Sequence, residues 1–285
     1  MQEEQVDHQS VVFYHSPCMD GQCAAWVYSM LMIPSWYHPI NYGDSFPIEG
    51  CNDLNVVFLD FSLKRNLMEE VVSRSRSITI LDHHKTAEAE LQDLQIREHD
   101  TLVFDMNKSG AMLTWEHYHK EEQPPRIVEY VQDRDLWLFK LPDSKLINDW
   151  IAAYYEKNFS SWDCMEADLA KSFESVLSKA HAIRKYKDKA IDLTLPHAHT
   201  IKLDGHDGLA VNQSSANLIS EIAGELAKKA DFGACYFRTK EGKWIVSLRS
   251  SGDIDVSEIA RHRGGGGHKN AAGFECDTPP EIVNT

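Results

Sequence analysis

"RSITILDHHKT", residues 76–86, joins a short apolar run to three groups that bind metals or transfer protons. The apolar run at 78–81 is rich in β-branched residues and is typical of a buried strand. Asp82, His83 and His84 follow it directly. A strand end that leads into a surface loop would explain these residues as well as a functional site does. The rest of the chain has to decide between the two interpretations.

Outward from this stretch, strand-like and helical segments alternate through the first half of the chain. The strand-like runs are "SVVFYH" (10–15), "NVVFLD" (55–60), "RSITILD" (76–82) and "TLVFD" (101–105), and the helical ones are "GQCAAWVYSMLM", "KRNLMEEVVSR" and "SGAMLTWEHY". This alternation predicts an α/β fold with a parallel sheet. Because ligands bind at the carboxyl ends of such strands, His15, Asp60 and the Asp82–His84 tripeptide are expected to meet along one edge.

The second half of the chain predicts a helical linker and a smaller α+β domain. Between residues 163 and 193 apolar residues recur at helical spacing, which indicates one long helix or two joined ones. The strand-like runs "HTIKL", "GACYFR" and "KWIVSLRS", a helix over 216–228 and the run "GGGGH" follow. We therefore expect a catalytic domain over 1–160, a helical linker over 161–195 and a substrate-binding domain over 196–285.

Composition restricts the partners of the protein. A formal net charge of -15 over 285 residues, with no extended Lys/Arg run, argues against binding to long duplex nucleic acid but not against small anionic substrates. The six cysteines are scattered without a CxxC pair, which favours reduced thiols. The start "MQEEQVDHQS" is unlike a signal peptide, and no apolar run is long enough to span a bilayer. We expect a cytoplasmic protein without a membrane partner, and the sequence does not indicate its oligomeric state.

Carboxylates and imidazoles gather at the predicted strand ends. They occur in "HSPCMDG" (His15, Asp20), "FLDFS" (Asp60), "LDHH" (Asp82, His83, His84) and "VQDRDLW" (Asp133, Asp135). Mixed nitrogen and oxygen ligands suit divalent ions such as Mn²⁺. Two neighbouring ions can share a carboxylate, lower the pKa of water and bind phosphoryl oxygens during in-line attack. We predict two divalent ions, with Mn²⁺ preferred and Mg²⁺, Fe²⁺ or Zn²⁺ as alternatives.

Taken in order, these four motifs resemble those of the DHH phosphoesterases. "SLRS" with "GGGGHKNAAGF" resembles the DHH-associated C-terminal domain, so the resemblance spans nearly the whole chain. The family includes RecJ-type single-strand exonucleases, nanoRNases that also remove phosphate from pAp, cyclic-dinucleotide phosphodiesterases, exopolyphosphatases and family II pyrophosphatases. The resemblance implies a phosphoester hydrolase with a dimetal site.

The resemblance also implies metal ligands in this sequence. His15 and Asp60 match ligands of the first metal. Asp20, Asp60, His83 and Asp133 match ligands of the second, so that Asp60 bridges the two.

Three further residues match the motifs with different roles. Asp82 would orient a histidine, because imidazole ligands need a partner on the other nitrogen. His84 would lie against the scissile phosphate as a hydrogen-bond donor or general acid. For Asp135, a salt bridge and a functional role both stay open.

The first motif departs from the pattern of the family. That motif usually reads His, three residues, Asp, one residue, Asp, whereas here the loop is one residue shorter and Cys18 stands in the place of the first Asp. A thiolate binds Mn²⁺ or a softer ion such as Zn²⁺ or Fe²⁺. Alternatively, Cys18 packs and water fills the position. We favour Cys18 as a ligand.

The glycine run points to an anion site in the C-terminal domain. It lacks the GKS or GKT ending of a P-loop, yet successive glycine N–H groups can form a nest for an anion. An Arg beside them suits phosphate. The predicted substrate-binding residues are Arg249, Ser250, Gly264, Gly265, Gly266, Gly267 and His268.

The function expected from these features is hydrolysis of short oligonucleotides or small nucleotides by metal-activated water. The alternatives within the family are an exopolyphosphatase, a pAp phosphatase and a RecJ-like single-strand exonuclease. An alternative of another class is a nucleotide-binding protein whose altered first motif has cost it activity. Turnover of a chromogenic phosphodiester with and without Mn²⁺ separates that class from the enzymes.

Overall fold

A computed structural model describes residues 10–156 and 158–280. The chain divides into two compact units, Met1–His181 and Ala182–Thr285. The first holds a parallel five-stranded sheet and the second holds a separate six-stranded sheet. The predicted fold class is therefore confirmed.

The first unit is built from five strands and the helices around them. Its strands are β1 (Ser10–His15), β2 (Ser35–Ile40), β3 (Asn55–Leu59), β4 (Ser77–Asp82) and β5 (Thr101–Phe104). Its helices are α1 (Met19–Ser29), α2 (Arg65–Arg74), α3 (Lys85–Leu91), α4 (Gly110–Tyr118), α5 (Arg126–Asp135), α6 (Ser144–Tyr154) and α7 (Phe159–Lys171), and α8 (Phe173–Thr194) follows.

The strands lie in the order β2-β1-β3-β4-β5, and all neighbouring pairs are parallel. β1, β3 and β4 are almost continuously buried, as expected of parallel strands that are covered on both faces. β2 is an edge strand that sequence reasoning missed. It is largely exposed and contains Pro39, which is tolerated at an edge but argues against a strand when read from sequence.

Aromatic and branched side chains fix the register of the central strands. Phe13, Phe58 and Ile80 occupy paired positions on β1, β3 and β4, and each is completely buried. The Phe13 and Phe58 rings stack with centroids 5.4 Å apart. Full burial of each such side chain contributes about 1.5–3 kcal/mol. A shift of the strand register by one residue would turn these side chains to the other face of the sheet. The packing therefore also fixes which residues lie side by side at the ends of the strands.

Helices α7 and α8 occupy the segment that was expected to be a linker. Trp162 of α7 is buried and stacks on Trp26 of α1, whose indole N–H donates to Asp163 Oδ1 at 2.9 Å. α7 therefore packs within the first unit. The division between the units falls inside α8.

The second unit has a mostly antiparallel sheet. Its elements are β6 (His199–Leu203), β7 (His206–Asn212), α9 (Ala216–Ala227), β8 (Phe232–Arg238), β9 (Trp244–Arg249), α10 (Val256–Arg261), β10 (Gly266–His268) and β11 (Ala271–Cys276). The order is β10-β11-β9-β8-β7-β6, with β7 and β8 parallel. Within the described part of the chain, none of the helices combines the length and apolar character needed to cross a membrane.

Candidate metal centre

Three adjacent strands of the first unit bring the predicted site residues together. His15 ends β1, Asp60 comes directly after β3 and Asp82 ends β4, followed by His83 and His84. Because these strands are parallel neighbours in register, their carboxyl ends meet at one edge of the sheet. The convergence expected from the sequence is present in the structure.

Asp60 lies at the centre of this group. Its side chain is only 1% exposed and its backbone has a φ of +54°, an unusual conformation for a residue other than glycine. One carboxylate oxygen, Oδ1, lies 3.0 Å from His83 Nε2. The other, Oδ2, lies 3.4 Å from His15 Nδ1. The two oxygens of one carboxylate thus face two different histidines.

Among the groups of close-lying potential ligand atoms, two contain the residues predicted as metal ligands. His15, Cys18 and Asp60 offer atoms within 4.8 Å of one another, and so do Asp20, His83 and Asp135. These two groups contain five of the six residues predicted as metal ligands, and Asp135 lies where Asp133 was expected. The two bound ions stay a prediction.

The chemistry of the donor atoms fits divalent cations. His15 Nδ1 and Asp60 Oδ2 are both buried and, among the described residues, neither has a hydrogen-bond partner. Burial, together with the charges of Asp60 and Asp135, raises the pKa of Asp20 well above its ordinary value. Burial lowers the pKa of His83, but its hydrogen bond with Asp60 and the nearby carboxylates outweigh burial and raise it to about 11. The crowded carboxylates favour a proton on a neighbouring group because of their negative charge. A bound cation would neutralise that charge instead.

Asp20 is held by the N-terminus of α4. Its Oδ2 accepts from the Gly110 N–H at 2.5 Å and its Oδ1 accepts from the Ala111 N–H at 3.0 Å. The positive end of a helix dipole stabilises a carboxylate in this position. The approach requires glycine, because a Cβ at position 110 would lie 2.5 Å from the Cβ of Asp60.

Asp82 orients the residues that follow it. Its Oδ1 accepts from the backbone N–H groups of His83 and His84, and it lies 2.7 Å from His84 Nδ1. The Ser62 hydroxyl donates to the other oxygen. Burial lowers the pKa of His84, whereas the Asp82 charge raises it and prevails, so the net pKa is above the usual value. Asp82 therefore contacts the ring of one histidine, His84, and its role in orienting a metal ligand stays a prediction.

The structure places Asp133 and Asp135 in different surroundings. The Asp133 carboxylate accepts from the N–H groups of Lys140 and Leu141 at 2.9 and 3.1 Å, so it organises the loop after α5. Asp135 Oδ2, by contrast, lies 3.5 Å from His83 Nε2. The structure thus brings Asp135, and not Asp133, to the group around His83.

Tyr42 borders the site on its exposed side. Its ring packs edge-on against His15 and His84, with centroids 5.4 and 6.0 Å away, and against Phe61 at 4.9 Å. The residue nevertheless exposes 51% of its surface. Sequence reasoning missed it because a Tyr in the loop "NYGDS" carries no motif signal.

In the second unit, Arg249 and His268 lie on the same sheet face. Both occupy positions paired with Ala271, which stands between them on β11. Strand spacing separates their backbones by about 10 Å. Arg249 Nη2 also donates to Ser220 of α9 at 2.6 Å. Ser250 differs from the expectation, since it is buried and its hydroxyl donates to the Ile254 carbonyl at 2.8 Å, a contact that supports the loop.

The first two glycines of the run close a helix and do not form a nest. The Gly265 N–H donates to the Ala260 carbonyl and the Gly264 N–H donates to the Arg261 carbonyl, both at the end of α10. With Gly264 at a φ of +78°, this is a Schellman motif. These two N–H groups are already used and are not available to an anion, which corrects the expectation for them.

The last two glycines continue into β10. Gly266 pairs with Gly273 and Gly267 pairs with Ala272 on β11. A Cβ at Gly267 would lie 2.5 Å from the Ala271 carbonyl oxygen, so the close approach of the two strands requires glycine there.

Comparisons with known proteins agree with the motifs. The family described as the DHHA1 domain matches residues 208–283. An uncharacterized protein, R106, of Acanthamoeba polyphaga mimivirus is 30% identical over 294 residues, which cover 94% of this chain and 68% of that protein.

Two solved structures are also similar. One is an uncharacterized protein from Helicobacter pylori G27, with 18% identity, a TM-score of 0.42, and coverage of 96% of this chain and 94% of that chain. The other is the pGpG-specific phosphodiesterase PggH from Vibrio cholerae, with 12% identity, a TM-score of 0.49, and coverage of 93% and 92%.

The family assignment rests on the site motifs of the first unit and on the domain match in the second. The "LDHH" tripeptide ends β4 beside Asp60, and the matched region contains "SLRS" and "GGGGHKNAAGF". The chain belongs to the DHH family of phosphoesterases that carry a C-terminal DHHA1 domain.

Proposed function

We propose that the protein is a metal-dependent phosphoesterase that hydrolyses short oligonucleotides or small nucleotides. The observation that carries this proposal is the position of Asp60, whose two carboxylate oxygens face the two flanking ligand groups. A shared carboxylate between two sets of nitrogen and oxygen donors is the arrangement used by dimetal phosphoester hydrolases.

His15, Cys18 and Asp60 would hold one ion, and Asp20, Asp60, His83 and Asp135 the other. When bound, two such ions lower the pKa of water and neutralise charge on phosphoryl oxygens. The first set contains a thiol where the family has a carboxylate. Because a thiolate is a softer ligand than a carboxylate, we expect this set to tolerate Zn²⁺ or Fe²⁺ as well as Mn²⁺.

His84 supplies the proton that the leaving group needs. Asp82 holds its Nδ1 at 2.7 Å and thereby fixes the orientation of the ring. Hydrolysis forms a bond from phosphorus to the water oxygen, which loses a proton to solvent, and breaks the bond to the leaving oxygen, which takes a proton from His84. Burial lowers the pKa of His84, but the Asp82 charge outweighs burial and raises it above the usual value, which favours the protonated ring that a general acid needs.

Charge supports short substrates over long ones. Long polyanions gain affinity when Lys and Arg side chains along a basic track neutralise their phosphates and release the condensed counterions into solution, and a chain with a net charge of -15 offers little such track. Arg249 and His268, on one face of the second sheet, can bind a terminal phosphate. We therefore expect substrates of about two to five nucleotides to be preferred over long strands.

A substrate panel tests this proposal. It compares pAp, linear and cyclic dinucleotides, RNA and DNA oligomers and polyphosphate, each with Mn²⁺, for the parent and for Asp60→Asn. Asp93→Asn is the matched control, because Asp93 is an exposed carboxylate on the same unit.

We expect the parent and Asp93→Asn to process dinucleotides best and Asp60→Asn to lose at least about 10²-fold in kcat. Preference for polyphosphate or pAp would select one of the alternative phosphatases. Faster processing of long single strands would select the RecJ-like exonuclease. No turnover with any divalent ion, together with tight nucleotide binding, would instead indicate a nucleotide-binding protein.

A further inference from the structure

The loop after α5 presents apolar side chains to solvent beside the candidate metal centre. Trp137 exposes 48% of its surface and Leu138 exposes 44%. The loop starts directly after Asp135, whose carboxylate lies 3.5 Å from His83 Nε2. Two residues of chain place the Trp137 Cα within about 7 Å of the Asp135 Cα. About half of this tryptophan is thus open to solvent close to the candidate metal centre.

The backbone of this loop is strained. Trp137 has a φ of +57° and Phe139 has a φ of +48°, in the left-handed region that bulky residues avoid. Such conformations persist only where the surrounding structure enforces them, and they cluster at functional sites. Two of them within three residues show that the loop is held in one particular shape.

Asp133 is the residue that holds it. Its carbonyl accepts from the N–H groups of Leu138 and Phe139 at 2.9 and 3.2 Å. Its buried carboxylate accepts from the next two N–H groups, those of Lys140 and Leu141. Four consecutive N–H groups thus converge on one residue, and these hydrogen bonds hold the loop in its shape without a substrate.

The Trp137 indole itself is oriented by Phe139. The two rings meet edge to face, with centroids 4.9 Å apart and planes at 75°. This contact fixes one edge of the indole, while about half of the residue stays exposed. A rigid, exposed aromatic face is the feature that proteins use to stack nucleobases.

We propose that Trp137 is a stacking platform for a nucleobase of the substrate. This inference rests on the proposed function, because it takes the substrate to be a nucleotide whose phosphate lies at the Asp135 side of the metal centre. The sugar of a nucleotide separates its base from its phosphate by only a few bonds, so a base next to the bound phosphate can reach the loop. Stacking tolerates any base, and the site therefore selects nucleotides over base-free phosphates without selecting a sequence.

Equilibrium binding tests the platform without relying on turnover. Titration calorimetry measures the Kd of AMP and of ribose 5-phosphate, which differ in the presence of the base. The proteins are the parent, Trp137→Ala, Trp137→Phe and the control Trp36→Ala, whose tryptophan on β2 is 47% exposed.

We expect the parent and Trp36→Ala to bind AMP about 5- to 150-fold more tightly than ribose 5-phosphate, the range of base–aromatic stacking. Trp137→Ala should reduce this ratio to about one by weakening AMP alone. Trp137→Phe should keep part of the preference, because a smaller aromatic face remains.

An unchanged ratio in Trp137→Ala, or a parent that does not distinguish the two ligands, overturns the platform. Equal weakening of both ligands also overturns it, because it shows that the loop acts on the phosphate through Asp135. If the ratio behaves as expected but the substrate panel shows no hydrolysis, the proposed enzyme fails and the platform stands.

Discussion

Replacing Gly110 by Ala tests how closely the N-terminus of α4 must approach the metal centre. The new Cβ would lie 2.5 Å from the Cβ of Asp60, 3.0 Å from its Cα and 3.1 Å from Asp20 Oδ2. Non-bonded carbons are most favourable at about 3.5–4.0 Å, so α4 and Asp60 must separate by about 1 Å. Both the central carboxylate and Asp20, which accepts from the Gly110 N–H, would move.

A displacement of this size should reduce activity far more than stability. Misplacement of a catalytic group by about 1 Å can cost about 10²-fold in rate. Overpacking of a buried contact costs about 1–3 kcal/mol of folding free energy, which a domain of this size can tolerate. We expect Gly110→Ala to fold, to lose at least about 10²-fold in kcat/KM for a dinucleotide with Mn²⁺, and to bind Mn²⁺ more weakly.

Gly50→Ala is the matched control, because a Cβ there would have no atom of the described residues within 4 Å apart from residue 50 and its chain neighbours. The measurements are kcat/KM, Mn²⁺ titration calorimetry and urea unfolding of both variants and the parent. If Gly110→Ala has the kcat/KM and Mn²⁺ affinity of Gly50→Ala, the reasoning about the α4 contact is refuted.

Three further predictions concern other parts of the chain. Asp135→Asn should remove one Mn²⁺ per chain, whereas Asp133→Asn should keep both ions and lower the Tm. Calorimetry counts the bound ions and thermal melts give the Tm. Loss of an ion in Asp133→Asn but not in Asp135→Asn would restore Asp133 as the ligand. Tyr42→Ala should lower kcat because its ring supports His15 and His84, and Tyr42→Phe should restore it; equal loss in both variants would point to the hydroxyl. Arg263, and to a smaller extent His262, lower the pKa of Asp204 to about 2. These contacts therefore stabilise the fold above the unfolded-state pKa near 4, and this stabilisation is lost as pH falls toward 2. Urea unfolding should show Asp204→Asn less stable than the parent by under about 1 kcal/mol at pH 6, with a smaller difference at pH 3, and a difference independent of pH would contradict this.

The parallel sheet could be predicted because its central strands are short, β-branched and continuously apolar. The same logic predicted that His15, Asp60 and Asp82 would meet, since strands of one parallel sheet end at one edge. β2 could not be predicted in this way, because an exposed edge strand with a proline lacks the apolar run.

The motif alone could not distinguish Asp133 from Asp135 as the residue that faces the metal centre. Both residues are in the last turn of α5, and two positions along a helix point in nearly opposite directions. Only one of them can therefore face the metal centre. The deciding contacts come from the loop at 138–141, whose N–H groups take up the Asp133 carboxylate.

The glycine run did carry a signal that points to its structure. Arg261 and Arg263 precede Gly264, and basic residues followed by glycine are typical of a helix C-terminus. The nest interpretation overlooked this because a helix of six residues, α10, is too short to show clear periodicity.

The central claim is that Asp60 is shared between two metal ions. The most direct measurement is the number of Mn²⁺ ions bound per chain, by native mass spectrometry and calorimetry, in the parent, Asp60→Asn and Asp93→Asn. We predict two ions for the parent and for Asp93→Asn, and the loss of both high-affinity ions for the folded Asp60→Asn variant, because each site loses the same carboxylate. Two tightly bound ions in Asp60→Asn, or fewer than two in the parent, would contradict the claim.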